Sequence, residues 1–134
     1  MAGETFRLLR NTLRTNAAFS GLCGLTLIIT PGRSAELIGL PWPWLLGALG
    51  IGLACFALLA AYAAGNPQTR RSSIVVIVTA DVLWVAASPV AMLAGKSVLT
   101  AMGQGLIALV ALIVATLATT QWLGLRNANR ERIA

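Results

Sequence analysis

Between Glu36 and Arg70 the chain carries no charged side chain, and between Lys96 and Arg126 it again carries none. Residues 15–32 are equally free of charge, and residues 72–95 hold a single one, Asp81. A soluble surface needs charges to stay dispersed in water, and an ordinary soluble domain is about 25% charged. Here 10% of the residues are charged and the mean hydropathy is +0.81, so these runs are built for hydrocarbon. In hydrocarbon every backbone N–H and C=O must be satisfied internally, which leaves helices and closed barrels. Barrel strands alternate apolar and polar residues. These runs are continuously apolar, so helices are expected.

A helix that crosses a bilayer takes about 20 mostly apolar residues. The charge-free stretches predict four spans, at about residues 10–30, 44–64, 73–94 and 98–124. The first stops at Pro31-Gly32 and draws on the Phe6–Leu13 segment, with Arg10 and Arg14 snorkelling to the headgroups. Basic residues before an apolar core also fit a cleavable signal peptide, but no clear A-x-A site follows. The second span ends at Gly65-Asn66-Pro67. The third starts at Ser72 or Ser73, either a good N-cap, and Pro89 is expected to kink it.

The expected fold is an all-α four-helix transmembrane bundle, one domain over residues 1–134. A short interfacial helix lies between spans one and two, with Ser34 as its cap and Leu37, Ile38 and Leu40 toward lipid. Gly32-Arg33-Ser34 after span one and Gly95-Lys96-Ser97 after span three suggest two helical hairpins in tandem.

Arginine and lysine gather on the cytoplasmic side of short loops. Arg7, Arg10, Arg14, Arg70, Arg71, Arg126, Arg130 and Arg132 fall on one side, eight basic residues against Arg33 and Lys96 on the other. Both termini therefore read as cytoplasmic, and the Arg-, Ala- and Leu-rich composition suggests a bacterial inner membrane. Tryptophan and tyrosine favour the membrane interface. Trp42 and Trp44 mark the outer boundary, and Tyr62 and Trp122 the opposite one. The net charge of +6 sits at the edges of apolar segments, which fits anionic headgroups and argues against nucleic acid.

Leucine burial does not drive helices together in lipid, whereas close backbone approach and hydrogen bonds do. Small residues four apart permit that approach: Ala17/Gly21 and Ser20/Gly24 in span one, Ala48/Gly52 and Gly50/Ala54 in span two, Ala101/Gly105 and Ala111/Ala115/Thr119 in span four. Some of these rows could face a second copy of the chain or another membrane protein.

Asp81 is the ionisable residue that needs an explanation. It lies about 12 Å into the third span at 1.5 Å per residue, and an acid near the bilayer centre costs about 2.5–3.5 kcal/mol on insertion scales. Three accounts compete: an ion pair with Arg14; a neutral Asp81 bonded to backbone or to threonines such as Thr26 or Thr116; and a proton-binding group or a partner for a cationic substrate. In the last account Trp84, one turn on, lines the same face, although packing alone would also place it there. Gln104 is expected to hydrogen-bond across helices near the outer end of span four. Cys23 and Cys55 read as small core residues rather than a redox pair. There is no histidine, no CxxC and no base set beside a nucleophile, so no cofactor, metal or catalytic residue is assigned.

Span one ending in Pro31, the segment Ile38-Gly39-Leu40 and the glycine-rich second span (Gly47, Gly50, Gly52) together resemble small bacterial four-span proteins of the DoxX-like kind. The resemblance implies a four-span helical membrane protein and carries over no functional residues. The first functional expectation is a non-enzymatic protein acting by helix association, as an accessory subunit or homo-oligomer. The alternative is a small proton-coupled transporter using Asp81.

Overall fold

The computed structural model describes residues 2–133. The described residues form an all-α fold with no strand. The helices are α1 (Ala2–Ile29), α2 (Pro31–Ile38), α3 (Pro43–Gly65), α4 (Arg71–Ala94) and α5 (Ala101–Ile133). Three of them, α3, α4 and α5, are long and apolar enough to cross a membrane. α1 is outside that set. Its N-terminal half carries Arg7, Arg10, Asn11, Arg14 and Asn16, and its apolar stretch begins only at Ala17.

The long helices form a ring. α1 packs along α3, α3 against α4, α4 along α5, and α5 against α1. The most extensive pairings are α1 with α3 and α4 with α5, neighbours of the kind two tandem hairpins would make. The two triplets that suggested such hairpins are not equivalent in structure, however: Gly32–Ser34 lies inside α2, whereas Gly95–Ser97 forms a turn. A hairpin needs only a reversal of direction, and the two turns achieve it by different means.

The α1–α3 crossing is set by glycine. A Cβ placed on Gly24 would lie 2.8 Å from the Gly50 carbonyl oxygen, and one on Gly50 would lie 2.8 Å from the Gly24 carbonyl oxygen. The Ser20/Gly24 row of α1 therefore meets the Gly50/Ala54 row of α3, as the small-residue spacing suggested. The Ala48/Gly52 and Ala101/Gly105 rows behave differently. A methyl group added at Gly52 or Gly105 would meet nothing within 4 Å, because both glycines face away from the ring. Near the chain termini an apolar core of Leu9, Leu13, Ala60, Ala63, Ala64, Ile74, Ile77 and Val78 fills the ring. Many other large apolar residues lie on the surface, among them Leu22, Leu58, Leu83 and Leu112. That inversion of soluble packing suits a lipid surround.

Several boundaries differ from the sequence expectation. α2 begins at Pro31 and not at a Ser34 cap; Ser34 is buried in mid-helix, and its hydroxyl lies 3.4 Å from that of Thr30. Proline suits the first helical turn because its missing N–H would be unbonded there anyway. α4 has Arg70 at its N-cap position, before either serine, and it continues through Pro89. α5 starts at Ala101 rather than Val98. Thr100 N–H bonds the Ile38 carbonyl at 2.9 Å and its hydroxyl bonds the Leu37 carbonyl at 2.5 Å, so the end of α2 fixes where α5 begins. α1 and α5 both run past the expected span ends. There Gly124 abuts Leu9, and the Thr5 hydroxyl donates to the Glu131 carboxylate at 3.2 Å.

The four aromatics expected to be interface anchors lie on the surface. Trp42 and Trp44 are exposed at the α2 end, and Tyr62 and Trp122 toward the end bearing both termini. Arg70 stacks 3.8 Å above the Tyr62 ring and also donates to the Tyr62 carbonyl, and Arg126 lies 5.3 Å from the Trp122 ring. Each arginine thus sits over an aromatic face, a contact favoured by the ring quadrupole.

Candidate functional site

A polar cluster lies inside the ring, midway along the helices. On α1, Thr12, Asn16, Ser20 and Gly24 recur every four residues, which puts them on one face; all four are buried. On α4, Asp81 and Ser88 face inward at the seven-residue spacing of two helical turns, with Trp84 between them. On α5, the inward row is Val114, Leu117, Ala118, Gln121, Gly124 and Ala128.

Asn16 Nδ2 donates to Asp81 Oδ2 at 2.7 Å, and the Ser20 hydroxyl donates to Asn16 Oδ1 at 3.1 Å. Asn16 is 1% exposed and Asp81 4%. The amide is held by a donor on one side and an acceptor on the other, which aims its NH2 at the carboxylate. Asp81 lies about 15 Å along α4 from Arg71, at 1.5 Å per residue.

Arg14 is not the partner of Asp81. It stands two residues before Asn16, about 200° around the helix, and is exposed. Thr26 and Thr116 are not partners either: both are exposed, and each hydroxyl caps a carbonyl of its own helix, Leu22 and Leu112. Gln104 is part-buried, and among the described residues its side chain makes no hydrogen bond. Trp84 is where the sequence put it, one turn beyond Asp81. Its Nε1 is buried without a partner, while its carbonyl accepts from the Ser88 hydroxyl at 2.8 Å. Cys23 is part-buried and Cys55 exposed, and both are free thiols.

The residues that sequence reasoning missed are Asn16 and Gln121. Gln121 is fully buried, and both its amide oxygen and nitrogen lack a partner. A signal for Asn16 was present. The row Ser20/Gly24 extends back by one turn to Asn16, so the helix face that packs on α3 is continuous with the face that meets Asp81. For Gln121 the corresponding signal is a primary amide among Leu117, Ala118 and Leu125 on the inward face of a span.

Chemically, the cluster offers a carboxylate, two amides, three hydroxyls and an indole N–H in a buried interior. Such a set can hold and release a proton, or bind a small solute rich in hydrogen-bonding groups. It offers no nucleophile with a base beside it. No protein-family model, curated protein or solved structure matches the chain.

Proposed function

We propose that this chain is a four-crossing integral protein of a bacterial inner membrane, with both termini cytoplasmic, that moves a small solute using Asp81 as its proton-binding group. α1 is the fourth crossing. It lies along α3, and its mid-helix polar residues Asn16 and Ser20 are buried, with Asn16 bonded to Asp81 and Ser20 to Asn16. The eight arginines at the end bearing both termini support the orientation. The sequence resemblance to DoxX-like small membrane proteins is in keeping with four crossings.

The observation that carries the proton-binding role is the company Asp81 keeps. It is an acid midway through the ring whose hydrogen-bond partner is a neutral amide. A structural ion pair would place an arginine there, and Arg14 points away. Intramembrane carboxylates that face a bundle interior mark proton and substrate pathways.

The test is solute uptake into proteoliposomes under an imposed pH gradient, screened over small cationic and neutral solutes. Asp81→Asn is expected to abolish the pH-driven component. Uptake that responds to the gradient equally well in Asp81→Asn removes Asp81 from the mechanism.

A second reading is association within the membrane plane, favoured by Gly52 and Gly105, which present bare backbone to the outside. Small residues at such positions let a neighbouring helix approach closely.

A further inference from the structure

We infer that Gln121, together with a bound water, is the station through which a proton travels between the arginine-rich end and Asp81. This rests on the proton-binding role proposed for Asp81 and assigns its access side.

The first support is that Gln121 is fully buried and both polar atoms of its amide are unpartnered. Buried polar groups in native proteins are satisfied by protein or by ordered water. An amide left with both a free donor and a free acceptor calls for a guest that can accept and donate at once. Water is the smallest such guest.

The second support is position. Gly124 abuts Leu9 where α5 passes antiparallel to α1. Three residues back along α5 therefore corresponds to three residues forward along α1, which sets Gln121 level with Thr12. Asn16 is one further turn inward, about 6 Å at 1.5 Å per residue. Gln121 thus stands between the terminal end of the ring and the Asn16–Asp81 pair. Leu9, Leu13, Ile74 and Ile77, all fully buried or nearly so, belong to the apolar core toward the terminal end of the ring. Thr12 is the other polar side chain at that level, and its hydroxyl is engaged with the Leu8 carbonyl at 2.8 Å.

The third support is the shortage of rivals. From α1, Arg10 and Arg14 are exposed and Cys23 is part-buried; from α3, Cys55 and Tyr62 are exposed; from α5, Arg126 is exposed beside Trp122; α4 itself presents Arg71, part-buried at its first turn. None of these is placed in the interior between Gln121 and Asp81.

The chemistry balances simply. A hydronium at the arginine-rich end gives its proton to the bound water. That water, oriented by the Gln121 amide, passes a proton on to a carboxylate oxygen of Asp81. Gln121 donates and accepts hydrogen bonds throughout and gains no net proton. Release runs the same steps in reverse.

The test uses the full chain in lipid nanodiscs. The carboxyl infrared band of Asp81, identified by its loss in Asp81→Asn, is followed after mixing with deuterium oxide. Gln121→Met keeps the side-chain volume and removes both hydrogen-bonding atoms. It is expected to slow deuterium exchange of the Asp81 carboxyl by about tenfold or more, with Gln121→Asn recovering much of the rate. Val114→Leu, an apolar exchange on the same face of α5, controls for packing. An unchanged rate in Gln121→Met overturns the inference, as does equal slowing in Val114→Leu or the lack of any exchangeable Asp81 carboxyl band. If Gln121→Met unfolds the protein, Gln121→Glu gives the readout: a faster or unchanged rate supports a hydrogen-bonding station there, and a tenfold slower one overturns it. Uptake that survives in Asp81→Asn while exchange still depends on Gln121 sinks the transport reading and leaves the proton route standing.

Discussion

Asn16 and Asp81 sit on helices whose backbones stay apart, with no Cα of α1 within 8 Å of one in α4 among the described residues, yet their side chains meet at 2.7 Å. The bond spans the diagonal of the ring. This contact therefore ties the two hairpins together at mid-depth, above the apolar core that Leu9 and Leu13 share with Ile74 and Ile77. Hydrogen bonds between membrane helices contribute about 0.6–2 kcal/mol. An unpartnered buried polar group costs about 1–3 kcal/mol, and a charged one more. The pair therefore matters more for what its loss would expose than for its own net stabilisation.

Removing one partner is expected to be worse than removing both. Asn16→Leu and Asp81→Leu should each lower stability by about 1–3 kcal/mol in denaturant titrations of mixed micelles. Asn16→Leu/Asp81→Leu should fall well short of the sum of the two. Arg14→Ala should change stability by less than about 0.5 kcal/mol, as an exposed substitution does. Strict additivity of the pair, or a large loss in Arg14→Ala, would mean that Asp81 is held by something other than Asn16.

The α1–α3 crossing should be intolerant of any side chain at Gly24. A methyl there lies 2.8 Å from the Gly50 carbonyl oxygen and 2.9 Å from the Ala54 nitrogen, and backbone cannot swing aside as a side-chain tip can. Gly24→Ala should cost about 1–3 kcal/mol. Gly52→Leu and Gly105→Leu should leave the monomer's stability nearly unchanged. If the chain self-associates, those two should lower the oligomer fraction seen by cross-linking in lipid. A Gly52→Leu chain that loses its fold would place that helix face inside, contrary to the structure.

At the opposite end of the ring, Gly39 terminates α2 with φ of +93°, a left-handed conformation, and a Cβ there would stand 2.5 Å from the Val98 carbonyl oxygen. Left-handed backbone costs an L-residue about 1–2 kcal/mol, and the clash with the α4–α5 turn adds to it. Gly39→Ala should lower the melting temperature. It should also speed amide exchange at Thr100, whose N–H bonds the Ile38 carbonyl. Unaltered protection at Thr100 would show that α2 does not hold the start of α5.

Much of the helical layout was legible because it depends on local quantities. Gly65-Asn66-Pro67 stops α3 and Pro31 opens a new segment whatever lies beside them. The Gly50/Ala54 row marked a close-packed face because closeness requires small residues. The site was only half legible. Asp81 stood out as a lone acid in an apolar run, but its partner could not be read by matching charge to charge. Arg14 had the right sign and the right depth, and the wrong azimuth.

The sequence by itself determined that these stretches are helices and that hydrocarbon is their solvent, because backbone hydrogen bonding and charge solvation act within each segment. It also determined which ends carry the arginines. Only the tertiary structure decided which face of each helix turns inward, since rotation about a helix axis exchanges Arg14 for Asn16 with no change in composition.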